Sequence, residues 1–176
     1  MLGHWVGWDG EDDTMFVSDR RILRSLSHFD LSGTRTLAIT TYEPPSTAVW
    51  IENSAPHHVL SRMENLRTLT LIQCNNLPFI LALNPDQNQS MRVLCPKLEE
   101  LVLYVEKLES SNIEELVNMA KGRASVCRAL SLITIVGLGE LIPEEVFKLE
   151  EYVARVDHRV GKTQPVWDSI PGDGND

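Results

Sequence analysis

The sequence predicts an α/β fold in the form of a solenoid, a short curved parallel sheet with helices on its convex side. Two observations predict it. Leu98, Leu101 and Leu103 form a Leu-x-x-Leu-x-Leu run, and the run recurs every 32 residues in both directions. Leu66, Leu69 and Leu71 precede it, Thr34, Leu37 and Ile39 come one step earlier, and Leu130, Ile133 and Ile135 follow. The second observation is what lies between the runs, where turn residues lead into apolar residues at helical spacing. The two inner columns are Leu37, Leu69, Leu101, Ile133 and Ile39, Leu71, Leu103, Ile135. In a chain with 43% hydrophobic residues, eight apolar hits arise by chance about once in a thousand trials. The register is therefore a property of the chain.

A Leu-x-x-Leu-x-Leu run is the strand segment of a leucine-rich repeat. Residues 1–33 read as a degenerate N-terminal repeat or cap, residues 34–160 as the solenoid, and residues 161–176 as a C-terminal tail. Leu2 and Trp5 fall in register, so a first strand is expected over residues 4–8. Asp9 to Asp13 is a solvated turn without the alternation of a calcium loop. Ser18 or Asp19 can cap a helix through His28, with Ile22, Leu23, Leu26 and Phe29 on one face. The strand at residues 36–40 ends at a turn containing Pro44 and Pro45, which no helix can cross.

A short helix is expected over residues 53–63, then a strand over 67–72 and a helical turn over 78–83, followed by a loop over 84–89. In the third unit Ser111 and Glu114 have capping-box spacing, Ile113, Leu116, Val117 and Ala120 form an apolar stripe, and Gly122 supplies a stop. Pro143 starts the last helix, with Glu144 and Glu145 in its first turn. Residues 156–160 alternate and can add an edge strand. No single unit buries both its strand and its helix, so stacked neighbours make the core.

Composition narrows the function. With 176 residues the chain can bury one core. A net charge of −9 argues against nucleic acid, and no apolar run is long enough to span a bilayer. Residues 1–8 lack a basic flank before the break at Asp9, so no signal peptide is expected. Cys74, Cys95 and Cys127 are three widely spaced thiols, which fits structural cysteines in an intracellular protein of cytoplasm or nucleus. Cys74 falls at the bend after a strand, where such repeats bury a small residue.

Catalytic signatures are not found, and no cofactor or metal is expected. His57 and His58 have no acid or cysteine at ligand spacing. Val136-Gly-Leu-Gly139 lacks the rest of a dinucleotide fingerprint and falls at the turn after a strand. Glu99 and Glu100, as neighbours in a strand, point to opposite faces. The remaining candidate is the concave surface, made of the positions between the buried columns. The rows are Thr36, Thr68, Glu100, Leu132; Ala38, Thr70, Val102, Thr134; and Thr40, Ile72, Tyr104, Val136. The expected partner-binding residues are Thr68, Thr70, Ile72, Glu100, Val102, Tyr104, Leu132, Thr134 and Val136. Ile72, Val102, Tyr104, Leu132 and Val136 would form an exposed apolar patch, which marks contact sites. Tyr104 is the expected anchor.

Residues 94–103 (Leu-Cys-Pro-Lys-Leu-Glu-Glu-Leu-Val-Leu) and 66–74 (Leu-Arg-Thr-Leu-Thr-Leu-Ile-Gln-Cys) resemble the leucine-rich region of F-box proteins, particularly the large fungal set. The resemblance covers roughly residues 30–160. It implies repeats that capture a protein for an SCF ubiquitin ligase, to which the F-box of such proteins docks. No F-box is recognised upstream of the repeats, and Leu141-Ile-Pro-Glu-Glu-Val-Phe147, a faint echo of one, reads as an ordinary helix start. The expectation is thus a non-enzymatic protein-interaction module with an unidentified protein partner. The alternative is a truncated structural remnant without a dedicated partner.

Overall fold

The computed structural model describes residues 6–9, 14–17, 30–40, 54–72, 76–87, 93–105, 110–138 and 141–161. Within them seven strands form one sheet, ordered as they occur along the chain. They are β1 (Val6–Asp9), β2 (Thr14–Val17), β3 (Thr36–Thr40), β4 (Thr68–Ile72), β5 (Glu100–Val105), β6 (Leu132–Gly137) and β7 (Val156–Val160). β1 and β2 are antiparallel, and every pairing from β2 to β7 is parallel. Parallel neighbours need a long crossover. The described crossovers contain α1 (Ser54–Leu60), α2 (Leu77–Leu83), α3 (Ser110–Val126) and α4 (Pro143–Glu150). The result is an α/β molecule.

The two inner columns stack. Leu37 pairs with Leu69, Leu69 with Leu101 and Leu101 with Ile133. Ile39, Leu71, Leu103 and Ile135 line up in the same way. All eight are buried, and they join Phe79, Ile80 and Leu83 of α2 and Leu116 and Met119 of α3 in one apolar cluster. Each buried leucine contributes about 2 kcal/mol of transfer free energy, so the columns supply a large share of the driving force.

Hydrogen bonds repeat with the same period. The Arg35 carbonyl accepts from the amides of Arg67 (2.7 Å) and Thr68 (3.0 Å), and the Arg67 carbonyl from Glu99 (2.8 Å) and Glu100 (2.9 Å). The Glu99 carbonyl accepts from Ser131 (2.8 Å) and Leu132 (3.2 Å). Just upstream lies a repeated turn in which the amides of Thr34, Leu66 and Leu98 donate to the carbonyls of Leu31, Met63 and Cys95. Leu31, Met63 and Cys95 are all buried. They form a further column that leucine spacing does not reveal.

Thr34 occupies a leucine position. It is fully buried, and its Oγ1 has no hydrogen-bond partner. An unpartnered buried hydroxyl is destabilising by about 1–2 kcal/mol. Thr34→Val keeps the shape and removes the hydroxyl. We expect it to raise the urea midpoint with an unchanged slope, a gain of about 1 kcal/mol.

Four expectations need correction. The strand beside β3 is β2, where Met15 pairs with Leu37; the strand expected over residues 4–8 is instead β1, the outer arm of a hairpin. A short turn can close an antiparallel pair, so this end of the sheet does not need a full crossover. Next, α3 begins at Ser110, which places Ser111 inside the helix and not at its cap. The capping interaction occurs in α4, where the Glu145 carboxylate accepts the Ile142 amide at 3.1 Å.

Gly122 also lies within α3, which continues to Val126. A Cβ there would lie 3.0 Å from Asn84 Oδ1 and 3.2 Å from Pro85 Cδ. The glycine thus admits a neighbouring segment and does not end the helix. That segment, expected as loop, contains a 3-10 turn at Pro85–Gln87. The helix expected at residues 18–28, the turn at Pro44 and Pro45, the Cys74 bend and residues 162–176 lie outside the described residues.

Candidate partner-binding face

Side chains alternate across a strand, so residues between the buried columns face away from the helices. The register places the nine expected partner-binding residues in a three-by-three grid. Thr68, Glu100 and Leu132 align across β4, β5 and β6, as do Thr70, Val102 and Thr134, and Ile72, Tyr104 and Val136. All nine are brought together.

They are not equally open. Thr68, Thr70, Glu100, Val102, Tyr104 and Leu132 are half-buried. Ile72 is only 3% exposed, Thr134 7% and Val136 9%. The apolar patch is therefore smaller than expected, because Ile72 and Val136 do not offer their side chains to solvent. Neighbouring strands lie about 4.8 Å apart, and Tyr104 pairs with Ile72 on one side and Val136 on the other. Val102 is the half-buried centre of the grid, and half-buried Tyr104 follows it along β5 on the same face.

β7 extends the face with charge. Asp157 pairs with Thr134 and Arg159 with Val136, so Asp157, Arg159 and, by alternation, Arg155 lie on the grid side. The Asp157 carboxylate accepts from Arg155 Nε (2.9 Å) and Nη2 (2.5 Å), and from Arg159 Nη2 (3.3 Å). The Arg155 hydrogen bond, with Arg159 adding to it, holds the Asp157 carboxyl below the usual carboxylate range. Both arginines are mostly exposed, so one carboxylate between two guanidiniums leaves an excess of positive charge. Sequence reading had the strand but not its register. The signal was the spacing of Arg155, Asp157 and Arg159, which puts all three on one side.

A second polar row lies at the strand starts. Glu99 accepts from Arg128 at 2.7 Å and Arg67 at 3.3 Å. Lys97 Nζ donates to Asn65 Oδ1 at 2.6 Å, and Asn65 Nδ2 to the Ser32 carbonyl at 2.7 Å. These are exposed contacts, worth at most about 1 kcal/mol each. Glu99 belongs to this row and Glu100 to the grid, as their alternation requires.

The other residues with reactive side chains are held by structure. Cys95 is buried, donates from Sγ to the Leu60 carbonyl at 3.4 Å, and has its thiol pushed up to about 12 by burial. It therefore remains a neutral thiol at physiological pH. Arg123 is fully buried and donates from Nη1 to the Leu94 carbonyl (2.9 Å) and from Nη2 to the Cys95 carbonyl (2.8 Å). Burial pulls its guanidinium below the usual range. Gly137 ends β6, and a Cβ there would lie 2.9 Å from the Val105 carbonyl oxygen. Close packing thus accounts for that glycine.

The His57 and His58 rings meet edge to face at 6.4 Å. Among the described residues no three His, Cys, Asp or Glu side chains converge as a metal site, and no helix is long and apolar enough to cross a membrane. Comparison with protein-family models, with curated proteins and with solved structures finds no match for the chain.

Proposed function

We propose that this chain is a leucine-rich repeat solenoid working as a non-enzymatic protein-interaction module. Its partner is a protein, taken on the sheet face centred on Val102 and Tyr104. The context suggested by the resemblance is that of substrate-recognition repeats of an F-box, SCF-type ubiquitin ligase. One observation carries the reading: the 32-residue register that buries one set of side chains places the alternate set in an aligned grid. A half-buried tyrosine flanked by Val102 and bordered by Glu100 and the β7 arginines has the mixture of aromatic anchor and polar rim found at interfaces.

The test is affinity capture from cell extract with the chain and with Tyr104→Ala and Val102→Glu. Both positions are half-buried on the face away from the core, so circular dichroism should be unchanged. Partner affinity should fall by roughly thirtyfold for Tyr104→Ala, the loss expected of an interface anchor worth about 2 kcal/mol. Variants that keep every partner at wild-type affinity would exclude this face.

A further inference from the structure

We propose that Cys95 and Cys127 are an oxidant-responsive thiol pair, which closes a disulfide between the turns that launch β5 and β6 when the chain meets a peroxide. This assignment does not depend on the function proposed above. The two cysteines are 32 residues apart, one step of the register that pairs β5 with β6. Cys95 belongs to the column of Leu31 and Met63, and Cys127 holds the position one period further on. Backbone hydrogen bonds tie the two turns together. Four residues beyond each cysteine, the Glu99 carbonyl accepts from Ser131 N–H (2.8 Å) and Leu132 N–H (3.2 Å). Arg123 holds both cysteines directly. Its carbonyl accepts from Cys127 N–H at 2.9 Å, and its Nη2 donates to the Cys95 carbonyl at 2.8 Å. Neighbouring rungs lie about 4.8 Å apart, and a disulfide joins Cα atoms roughly 4.4–6.8 Å apart. The register therefore sets the two backbones at bridging separation.

The two thiols are unequal, and this sets the order of events. Cys127 follows α3 directly and is half-buried, with Sγ donating to the Arg128 carbonyl at 3.6 Å. An oxidant reaches it from solvent. Cys95 is 1% exposed, and burial pushes its thiol up to about 12, so it does not meet peroxide first. The Arg123 guanidinium lies within electrostatic range of both sulfurs, and a neighbouring cation favours the thiolate that reacts.

In the first step the Cys127 thiolate attacks hydrogen peroxide. An S–O bond forms as the O–O bond breaks, and one water leaves behind a sulfenic acid. In the second the Cys95 sulfur bonds to the Cys127 sulfur and the S–O bond breaks. The departing hydroxide takes the Cys95 proton and leaves as a second water, so the peroxide is reduced and the two thiols are oxidised. Cys95 gives up its 3.4 Å contact to the Leu60 carbonyl, a weak sulfur hydrogen bond. The bridge would close a loop of one repeat and restrict the unfolded chain.

The experiment treats the full chain carrying Cys74→Ser, which leaves two of its three cysteines, with hydrogen peroxide. Mass spectrometry without reduction should show a monomer lighter by two hydrogen atoms, with tryptic peptides 93–97 and 124–128 joined. Dithiothreitol should restore the original mass. In the same background Cys95→Ala should stop at a Cys127 sulfenic acid that dimedone traps, and Cys127→Ser should leave Cys95 unreacted. Circular dichroism before treatment checks that each variant is folded. Oxidation should raise the thermal midpoint by several degrees in the Cys74→Ser chain and in neither variant. Cys127 passing on to sulfinic acid while Cys95 stays free overturns the proposal. So do dimers joined through Cys127, or a bridge that forms only in urea and thus belongs to the unfolded chain.

Discussion

Arg123→Ala lowers the unfolding free energy by about 4 kcal/mol, read as a fall in the urea midpoint. Arg123 is the one fully buried charged side chain among the described residues, and no acid accompanies it. Its two terminal nitrogens bind the carbonyls of Leu94 and Cys95. Cys95 has a φ of 46°, in the left-handed region that suits glycine better than a side chain with Cβ. The guanidinium thus props the turn that launches β5, where the backbone is least comfortable. Alanine leaves two buried carbonyls without donors and a cavity the size of the missing stem. Arg123→Met separates these effects, since it keeps most of the volume and removes the buried charge with the donors. A loss of about 1–2 kcal/mol is expected for it. A methionine variant more stable than the native chain would show that the guanidinium does not support the turn.

Leu101→Ala should be destabilising by about 3–5 kcal/mol. Leu101 is fully buried between Leu69 and Ile133 on the flanking strands. A cavity there opens at the centre of the sheet, where neither neighbour can move without breaking its own pairing. Val126→Ala, at a position 56% exposed at the end of α3, should change stability by less than about 0.5 kcal/mol. Equal losses at the two positions would mean that the leucine columns are not the core. Chemical denaturation followed by circular dichroism measures both.

The leucine columns were legible because their chemistry is uniform and their spacing fixed. Leu69, Leu101 and Ile133 could be aligned from sequence alone, and the alternation of β-strands then gave the grid. The column of Leu31, Met63 and Cys95 was hidden because three different side chains fill equivalent sites. Its common feature is a backbone hydrogen bond, which sequence does not display. Gly122 was misread because a helix stop and a close helix contact call for the same residue, and the distance to Asn84 decides between them. The N-terminal end was misread because Trp5 happens to share the period, whereas the hairpin brings Met15 to the column from only 22 positions before Leu37. For the grid, sequence gives direction but not shielding. Ile72 and Val136 alternate as the open positions do, yet they are buried.

Each strand of this sheet borders only the strands made just before and just after it. Between β3 and β6, where the register is 32 residues, tandem duplication of one such block would deliver a copy whose upper and lower surfaces already match those it must join. The molecule can therefore grow by whole steps through a single genetic event, without inventing a new interior.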